Sequence, residues 1–389
     1  MNRLAAAAFV AAGALAIAQT PAPITPSKTL PGHTDLVYGV AVSPDGKQFA
    51  TGSFDKTIKL WTAEGTLQRT LGGEKGHTAQ VTAVAYVPKQ PWLASSSTDN
   101  TVKLWDAADP KAMEPIRSLA HPQLVNAIAA NPAGTIMATG GQDGIIRLWD
   151  LTKKDANNPK TINAHIVEQP QKRAEPIYAI LWSLDGKQLI SASNDRSIKV
   201  WDAESLKLVR EMKPGSDRPP PSPEVVKAAP MVLNGAASAL LQKAASPGHT
   251  DQVYTMALDP TGKLLASGSA DRTVKIWTLE TGALVRTLTN KNLKPTIVGQ
   301  PPPAHPGYVH ALKFTKDGSR IVTVGTAPKM KGFLGVWTVA DGALVSGTEL
   351  SLGAFHSLDI AADGSALVGC GPKMRSTTES DAVLLPLPK

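Results

Sequence analysis

Residues 32–62 read GHTDLVYGVAVSPDGKQFATGSFDKTIKLWT, and this stretch decides the fold. After an early Gly-His pair come three short runs in which apolar residues tend to alternate with others. The runs are separated by Asp45-Gly46 and Asp55-Lys56, and Leu67 to Leu71 forms a further run. Alternation with a period of two indicates β-strands, and Asp-Gly favours the turn of a β-hairpin. The stretch therefore predicts four antiparallel strands, called a to d in chain order, with Trp61 at the end of strand c.

The same pattern recurs along the chain at a regular distance. Trp61, Trp105 and Trp149 are 44 residues apart, and the histidines His33, His77, His121 and His165 share this spacing. A period of about 40–45 residues with Gly-His early and Trp-Asp late is the signature of a four-stranded propeller blade. Turns between strands a and b give seven repeats, and they begin at Asp45, Lys89, Ala133, Asp185, Thr261, Asp317 and Asp363.

These motifs resemble the WD-repeat family over nearly everything after residue 27. Gly-His pairs begin at Gly32, Gly76 and Gly248, Trp-Asp pairs at Trp105, Trp149 and Trp201, and Trp-Thr pairs at Trp61, Trp277 and Trp337. The resemblance implies an all-β fold, a seven-bladed β-propeller of four-stranded antiparallel blades. The seventh repeat lacks Trp and a strand d, although Asp381 to Pro386 predicts its strand c. We expect the N-terminal stretch Ser27 to Leu30 to join this last blade and close the ring.

Four polar or aromatic side chains recur in five repeats. The resemblance implies that each set, here called a tetrad, is a buried hydrogen-bonded chain of structural importance. The tetrads are His33, Thr51, Asp55, Trp61; His77, Ser95, Asp99, Trp105; His121, Thr139, Asp143, Trp149; His165, Ser191, Asp195, Trp201; and His249, Ser267, Asp271, Trp277. A Ser/His/Asp catalytic triad is the alternative, but a set repeated five times has no single cleft to serve. We therefore expect no catalytic residue. Blade six has Ala327 in place of Asp, and blade seven has Ser351 in place of His.

The N-terminus predicts export. Arg3 precedes an apolar run from Leu4 to Ala16, and Ala16-Ile17-Ala18 resembles a signal-peptidase site. We assign residues 1–18 to a signal peptide, 19–26 to a linker and 27–389 to the propeller. The mature chain would begin near Gln19, lack a membrane span and be periplasmic or secreted. A membrane anchor is the alternative, but the apolar run is short for a span of about 20 residues.

Composition excludes several classes of site. Cys370 is the only cysteine among 389 residues, so an internal disulfide, a cysteine-based zinc site and covalently attached c-type haem are excluded. We expect no cofactor. The formal charge of +8 becomes +7 once Arg3 is removed with the signal, which leaves acidic cell-envelope polymers as an alternative ligand. No Lys/Arg cluster is interleaved with aromatic residues, so we expect no nucleic-acid partner. We also expect a protein that is monomeric on its own.

Insertions point to one end of the propeller. They lie in connections between strands d and a or b and c, which meet on the face called the top: Ile166 to Glu175, the Pro/Ala-rich segment 213–247, Leu288 to Ala304, Thr326 to Gly332 and Gly371 to Ser380. Elaboration of one face often marks the binding surface of a repeat protein. Drift of loop length without a purpose is the alternative.

A ring of residues at the start of strand a also points to the top. In WD-repeat propellers the third and fifth residues after the repeat histidine surround the channel mouth. The fifth positions are Tyr38, Thr82, Asn126, Tyr178, Tyr254, His310 and His356, and a third position adds Tyr308. Four of the five tyrosines lie in this ring, and tyrosine suits an interface. We therefore expect a non-catalytic scaffold that binds a protein or peptide there, through Tyr38, Tyr178, Tyr254, Tyr308, His310 and His356. A propeller enzyme or a binder of a small ligand or metal, using His310 and His356, is the alternative.

Overall fold

The computed structural model describes residues 24–153, 158–167, 173–213, 248–295, 301–371 and 380–388. The predicted signal peptide at residues 1–18 and residues 214–247 of the predicted insert lie outside the described residues. Most of the predicted insertion between Gly371 and Ser380 also lies outside them. Within the ranges that the structure covers, no helix combines the length and the apolar character that a membrane crossing requires.

Seven four-stranded antiparallel sheets form the molecule, so the predicted seven-bladed all-β propeller is confirmed. Blade one contains β2 (Val37–Val42), β3 (Gln48–Ser53), β4 (Ile58–Thr62) and β5 (Leu67–Leu71). Blade two contains β6 (Val81–Tyr86), β7 (Trp92–Ser97), β8 (Thr101–Asp106) and β9 (Pro115–Ala120). Blade three contains β10 (Val125–Ala130), β11 (Ile136–Gly141), β12 (Ile145–Asp150) and β13 (Lys160–Asn163).

The remaining blades follow the same order of strands. Blade four contains β16 (Ile177–Trp182), β17 (Gln188–Ser193), β18 (Ile198–Asp202) and β19 (Leu208–Met212), preceded by a two-stranded hairpin of β14 (Ile166–Val167) and β15 (Arg173–Ala174). Blade five contains β20 (Val253–Leu258), β21 (Leu264–Ser269), β22 (Val274–Thr278) and β23 (Leu284–Leu288). Blade six contains β24 (Val309–Phe314), β25 (Arg320–Ala327), a 3₁₀ turn (Pro328–Met330), β26 (Lys331–Thr338) and β27 (Leu344–Leu350). Blade seven contains β28 (Phe355–Ile360), β29 (Ala366–Cys370), β30 (Ser380–Leu385) and β1 (Lys28–His33).

Blade seven combines strands from both ends of the described chain. β1 pairs antiparallel with β30, with Lys28 opposite Leu384 and Leu30 opposite Ala382. The outer strand of this blade therefore comes from the start of the sequence, whereas the other blades take theirs from consecutive residues. Pairing of this kind covers the outer edge of β30, which would otherwise expose unpaired backbone groups.

Apolar seams hold neighbouring blades together. Seven buried clusters each contain residues from two adjacent blades, and six of them contain the indole of one repeat tryptophan. In blade one, for example, Trp61 is 2% exposed and packs with Leu30 and Leu384 of blade seven. The seam between blades six and seven has no tryptophan, and it is filled by Phe355 and Leu385 instead. Burial of these side chains at roughly 25 cal/mol per Å² makes the seams the main source of stability.

Basic side chains on the outer strands connect one blade to the next. Arg69 of blade one donates to the carbonyls of Asp106 (2.6 Å), Ala112 (2.9 Å) and Asp109 in blade two. Comparable bonds run from Arg117 to the carbonyls of Asp150 and Lys153, from Arg210 to that of Leu279 and from Lys28 to that of Ala63. We call these contacts rim clasps. They satisfy carbonyls in the turns between strands c and d, which the sheets leave unpaired.

Replacing Arg69 by methionine is expected to lower the free energy of unfolding by about 2 kcal/mol, because its three bonds lie at the partly solvated rim and together contribute no more than one well-buried bond to a charged donor, about 1.5–3 kcal/mol. Lys160 provides a matched control, since it lies at the corresponding place in exposed strand β13 and makes no such bond to the described residues. Lys160→Met should change stability by less than about 0.5 kcal/mol. Urea denaturation followed by tryptophan fluorescence measures both, and equal effects of the two changes would contradict the role of the clasp.

Candidate functional site

The tetrads form hydrogen-bonded chains in blades one, two, four and five. In blade one, His33 Nδ1 lies 2.7 Å from Asp55 Oδ2, His33 Nε2 lies 2.8 Å from Thr51 Oγ1, and the Trp61 indole donates to the same hydroxyl at 2.9 Å. Across the four blades the three distances span 2.7–3.0, 2.7–2.8 and 2.8–3.0 Å. The four side chains of each tetrad are hydrogen-bonded to one another and connect the strands and turns of their blade. We call these complete tetrads struts.

A fifth side chain belongs to each of these networks. Thr57 Oγ1 donates to Asp55 Oδ1 at 2.6 Å, and Thr101, Ser197 and Thr273 make the same bond in blades two, four and five. Burial alone would raise the pKa of the Asp55 carboxyl, but the bonds from His33 and Thr57 hold it well below its usual range. Sequence reasoning missed this hydroxyl, although a Ser or Thr stands two residues after the tetrad aspartate in each of these four blades.

Blade three departs from the predicted tetrad. His121 Nε2 still meets Thr139 Oγ1 at 2.8 Å, and Trp149 donates to that hydroxyl at 3.0 Å. His121 Nδ1, however, lies 3.0 Å from the carbonyl of Leu119, and Asp143 forms a 2.7 Å ion pair with Arg147. The prediction that Asp143 completes this tetrad was therefore wrong.

Three changes explain why Asp143 does not join its histidine. Pro122 has no N–H where Thr34, Thr78 and Thr250 donate to the tetrad aspartate. Ile145 replaces the hydroxyl that bonds to the other carboxylate oxygen, and Arg147 replaces a lysine and captures the carboxylate. With two of its usual donors missing, the carboxylate gains more from the guanidinium than from the imidazole. Burial lowers the pKa of His121 to about 4.

Blades six and seven lose the network in different ways. In blade six, His305 Nε2 bonds to Thr323 (2.7 Å), but its buried Nδ1 has no partner among the described residues, because Ala327 replaces the aspartate. Burial lowers the pKa of His305 to about 3. In blade seven the buried apolar residues Val368 and Leu385 occupy the hydroxyl and indole positions. Replacing both partners of a buried hydrogen bond by apolar groups changes the free energy of unfolding little. Removing one partner and leaving the other buried costs about 1–3 kcal/mol.

All seven fifth-position residues line one cavity at the channel mouth. Its volume is about 510 Å³, and Tyr38, Thr82, Asn126, Tyr178, Tyr254, His310 and His356 are among its lining residues. Tyr308 is 49% exposed and lies beside the cavity, with its ring 6.3 Å from that of Tyr254. The circular arrangement of the blades thus brings together residues from positions 38 to 356. The cavity lies at the end of the channel where the sequence predicted a binding face.

Aromatic rings form a continuous row along one side of this mouth. The centroids of Tyr178 and Tyr254 are 5.2 Å apart, those of Tyr254 and His310 are 5.4 Å apart, and those of His310 and His356 are 5.0 Å apart. Tyr38 continues the row at 5.4 Å from His356. Such separations are typical of stabilising ring contacts. We call this set of five residues the aromatic row.

The aromatic row is uncharged at neutral pH. Burial lowers the pKa of His310 to about 4, and burial together with the neighbouring His310 lowers that of His356 to about 3. Burial raises the pKa of Tyr38, and burial with the nearby tyrosines raises that of Tyr254 to about 12. At pH 7 the histidines are therefore neutral imidazoles and the tyrosines are neutral phenols.

Charged groups contribute little to the cavity. Among the described lining residues Lys313 is the one charged side chain, and its Nζ lies 3.3 Å from Asp359 Oδ1. No group of three or more His, Cys, Asp or Glu side chains within the described ranges is arranged to hold a metal ion. The mouth is thus suited to ring stacking and hydrogen bonding.

The hairpin before blade four is connected to the row by hydrogen bonds. Glu175 accepts from Arg173 (2.6 Å) and from Asn194 Nδ2 (2.6 Å), and the Tyr178 hydroxyl donates to Asn194 Oδ1 at 3.4 Å. The Glu175 residue is 6% exposed, so this carboxylate is nearly enclosed by its partners. Glu175, at the end of the predicted insertion, is therefore connected through Asn194 to one end of the aromatic row.

Comparisons with known proteins agree with this architecture. The family described as "WD domain, G-beta repeat" matches residues 24–62, 65–106, 113–150, 160–202 and 242–278, about half of the chain. A "Ribosome biogenesis protein BOP1 homolog" from Drosophila virilis is 32% identical over 113 residues, which are 29% of this chain and 12% of that protein.

Two further relatives match at similar levels. "Protein HIR1" from Yarrowia lipolytica is 26% identical over 159 residues (40% of this chain, 14% of that protein), and "Transducin beta-like protein 3" from Bos taurus is 30% identical over 123 residues (32% and 13%). The chain thus aligns with no more than 14% of the length of any of these three relatives. The five matched repeats, the seven four-stranded blades and the tetrad hydrogen bonds all lead to the same conclusion: the chain belongs to the WD-repeat family.

Proposed function

We propose that the protein is a non-catalytic exported scaffold that binds a protein or peptide at the mouth of its channel. The observation that carries this proposal is the aromatic row, which lines a cavity of about 510 Å³ without a cluster of reactive charged groups among the described residues. WD-repeat propellers typically mediate protein–protein interactions. The row supplies large, rigid side chains at the centre of one face, and residues of this type dominate binding energy at interfaces.

The buried tetrads and the residues at the mouth have different roles in this proposal. His, Asp and Ser/Thr side chains of the complete tetrads are enclosed and bonded to one another, so they are poorly placed to touch a substrate. The residues that line the mouth are not members of the complete tetrads, so they remain available to contact a partner. Export is proposed from the N-terminal sequence, with cleavage after Ala18.

A triple variant with Tyr38, Tyr178 and Tyr254 changed to alanine tests the binding face. Tagged wild type and variant are recovered from the exported fraction, and the N-terminus of the recovered wild type is sequenced. We expect a start near Gln19 and at least a tenfold loss of captured partner in the variant, because interface tyrosines often contribute 2 kcal/mol or more each.

The matched control changes three exposed apolar residues on the outer strands, Leu208, Val209 and Val285, to alanine. These side chains are 45–48% exposed, and the change leaves the mouth intact. The control should retain its partners. Equal recovery of every partner by wild type and the tyrosine variant would reject the mouth as the binding face, and an uncleaved N-terminus would reject export.

A further inference from the structure

Polar atoms around the mouth divide into two sectors. In blades two to five the ring residues bond to the protein itself: Thr82 to the Val125 carbonyl (2.6 Å), Asn126 to the Ile177 carbonyl (3.2 Å), Tyr178 to Asn194 (3.4 Å) and Tyr254 to Gln252 (2.8 Å). In blades six, seven and one, the ring residues are His310, His356 and Tyr38. Their side chains make no hydrogen bond to any residue that the structure describes.

Two atoms in this second sector are buried as well as unpartnered. They are Nδ1 of His356 and Oγ of the adjacent Ser357, and no described residue bonds to either. Both residues line the cavity. Buried polar groups in native proteins nearly always have a partner, and leaving one without costs about 1–3 kcal/mol. Protein encloses these two atoms, whereas the Tyr38 hydroxyl, the His310 imidazole and the other nitrogen of His356 have no described partner and are not enclosed, so they are the polar groups that a ligand in this sector can reach.

We propose that the sector formed by Tyr38, His310 and His356 receives an uncharged aromatic side chain that carries a hydrogen-bond donor, namely tryptophan or tyrosine of a partner peptide. This inference rests on the proposed function and names the group that the mouth recognises. The ring of the ligand stacks in the aromatic row, where neighbouring centroids are already 5.0–5.4 Å apart. Its N–H or O–H donates to the lone pair of a neutral imidazole.

The charges of the cavity favour a neutral ligand over a cationic one. Lys313 is the one charged residue among the described lining residues, and no carboxylate there could balance a bound ammonium or guanidinium. An anion gains little, because Lys313 is already paired with Asp359 at 3.3 Å. Burial holds His310 and His356 in their neutral, hydrogen-bond-accepting form at pH 7, since it lowers their pKa to about 4 and about 3. The cavity volume of about 510 Å³ is within the usual range for ligand sites.

Three blocked amino acids test the preference directly by NMR titration of the whole mature protein. N-acetyl-tryptophanamide has a ring and a side-chain donor, N-acetyl-phenylalaninamide has a ring alone, and N-acetyl-lysinamide carries a cation. We expect the tryptophan probe to bind about 3- to 10-fold tighter than the phenylalanine probe, as one added hydrogen bond implies. The lysine probe should bind most weakly.

Variants that keep the rings but remove the acceptors identify the residues. In His310→Phe/His356→Phe the advantage of the tryptophan probe over the phenylalanine probe should disappear, and each single variant should lose part of it. Tyr86→Phe is the control, because the Tyr86 hydroxyl bonds to Gln48 at 2.8 Å and Tyr86 is not a lining residue of the cavity. It should keep the full preference. Near-UV circular dichroism checks that each variant is folded.

Several outcomes would overturn the inference. They are tighter binding of the lysine probe, an unchanged preference in the double histidine variant, or no binding of the tryptophan probe up to its solubility limit. If one of these results is found while capture of a partner still depends on the tyrosines, the inference about tryptophan or tyrosine recognition is wrong and the proposed function stands. Failure of partner capture as well would reject both.

Discussion

Asp99→Ala is expected to lower the free energy of unfolding by about 3–5 kcal/mol, because several donors lose one carboxylate acceptor and each hydrogen bond to a charged group contributes about 1.5–3 kcal/mol. The Asp99 carboxylate accepts four hydrogen bonds, from His77 Nδ1 (2.8 Å), the Thr78 amide (3.0 Å), the Thr101 amide (2.9 Å) and the Thr101 hydroxyl (2.6 Å). Alanine leaves all of these donors without their partner inside blade two. Urea denaturation of the purified protein measures the loss.

Asp106→Ala is the matched control in the same blade. Asp106 accepts two bonds at 2.9 Å from the amides of Ala108 and Asp109 in an exposed turn, where water can replace the carboxylate. Its removal should cost about 1 kcal/mol. A cost for Asp99→Ala as small as that of the control would show that the network is not a strut, and the structural role assigned to all four complete tetrads would then fail.

Acidification from pH 6.5 to pH 4 is expected to unfold the protein. Burial lowers the pKa of five histidines; one is His165, and the other four fall to about 4 (His121 and His310) or about 3 (His305 and His356). In the unfolded chain these imidazoles titrate near 6.5. Between that value and the folded pKa, the unfolded state binds one more proton per histidine, so stability falls as pH falls.

The size of the effect follows from proton linkage. Each of these histidines lowers stability by about 1.4 kcal/mol per pH unit within this window, or about 3 kcal/mol by pH 4. Four such groups together approach the net stability of about 5–15 kcal/mol that is usual for a folded protein. Above pH 6.5 the histidines are neutral in both states and contribute no slope. The tetrad aspartates, whose pKa is lowered, add a loss at more acidic pH.

The variant His310→Phe/His356→Phe separates this mechanism from general acid denaturation. Removing two titrating groups should flatten the dependence of stability on pH by about 3 kcal/mol per pH unit between pH 6 and pH 4. Urea denaturation at a series of pH values gives the slope, which does not depend on the stability of the variant at pH 7. An unchanged slope would mean that these two imidazoles are not held neutral by burial.

Both predictions concern features that the sequence revealed to different degrees. Tetrads such as that of Asp99 could be recognised because their spacing is copied from blade to blade, and each member lies within 36 residues of its histidine. The hydroxyl of Thr101 was equally visible in the sequence but was not recognised as a member. The exception in blade three was harder to foresee, because it required weighing Pro122, Ile145 and Arg147 against a motif that otherwise matched.

The sequence by itself determined the family, the number of blades and the position of the struts. Strand pairing in blades one to six and the bonds within each tetrad join residues close in sequence, so a period of 44 residues is enough to reveal them. Tertiary structure alone decided which polar atoms at the mouth find partners. Tyr38, His310 and His356 are separated by up to 318 residues, and only closure of the ring stacks them into one row. Their burial, their neutral state and their lack of partners arise from neighbouring blades, because desolvation depends on everything packed around a group, near or far in sequence.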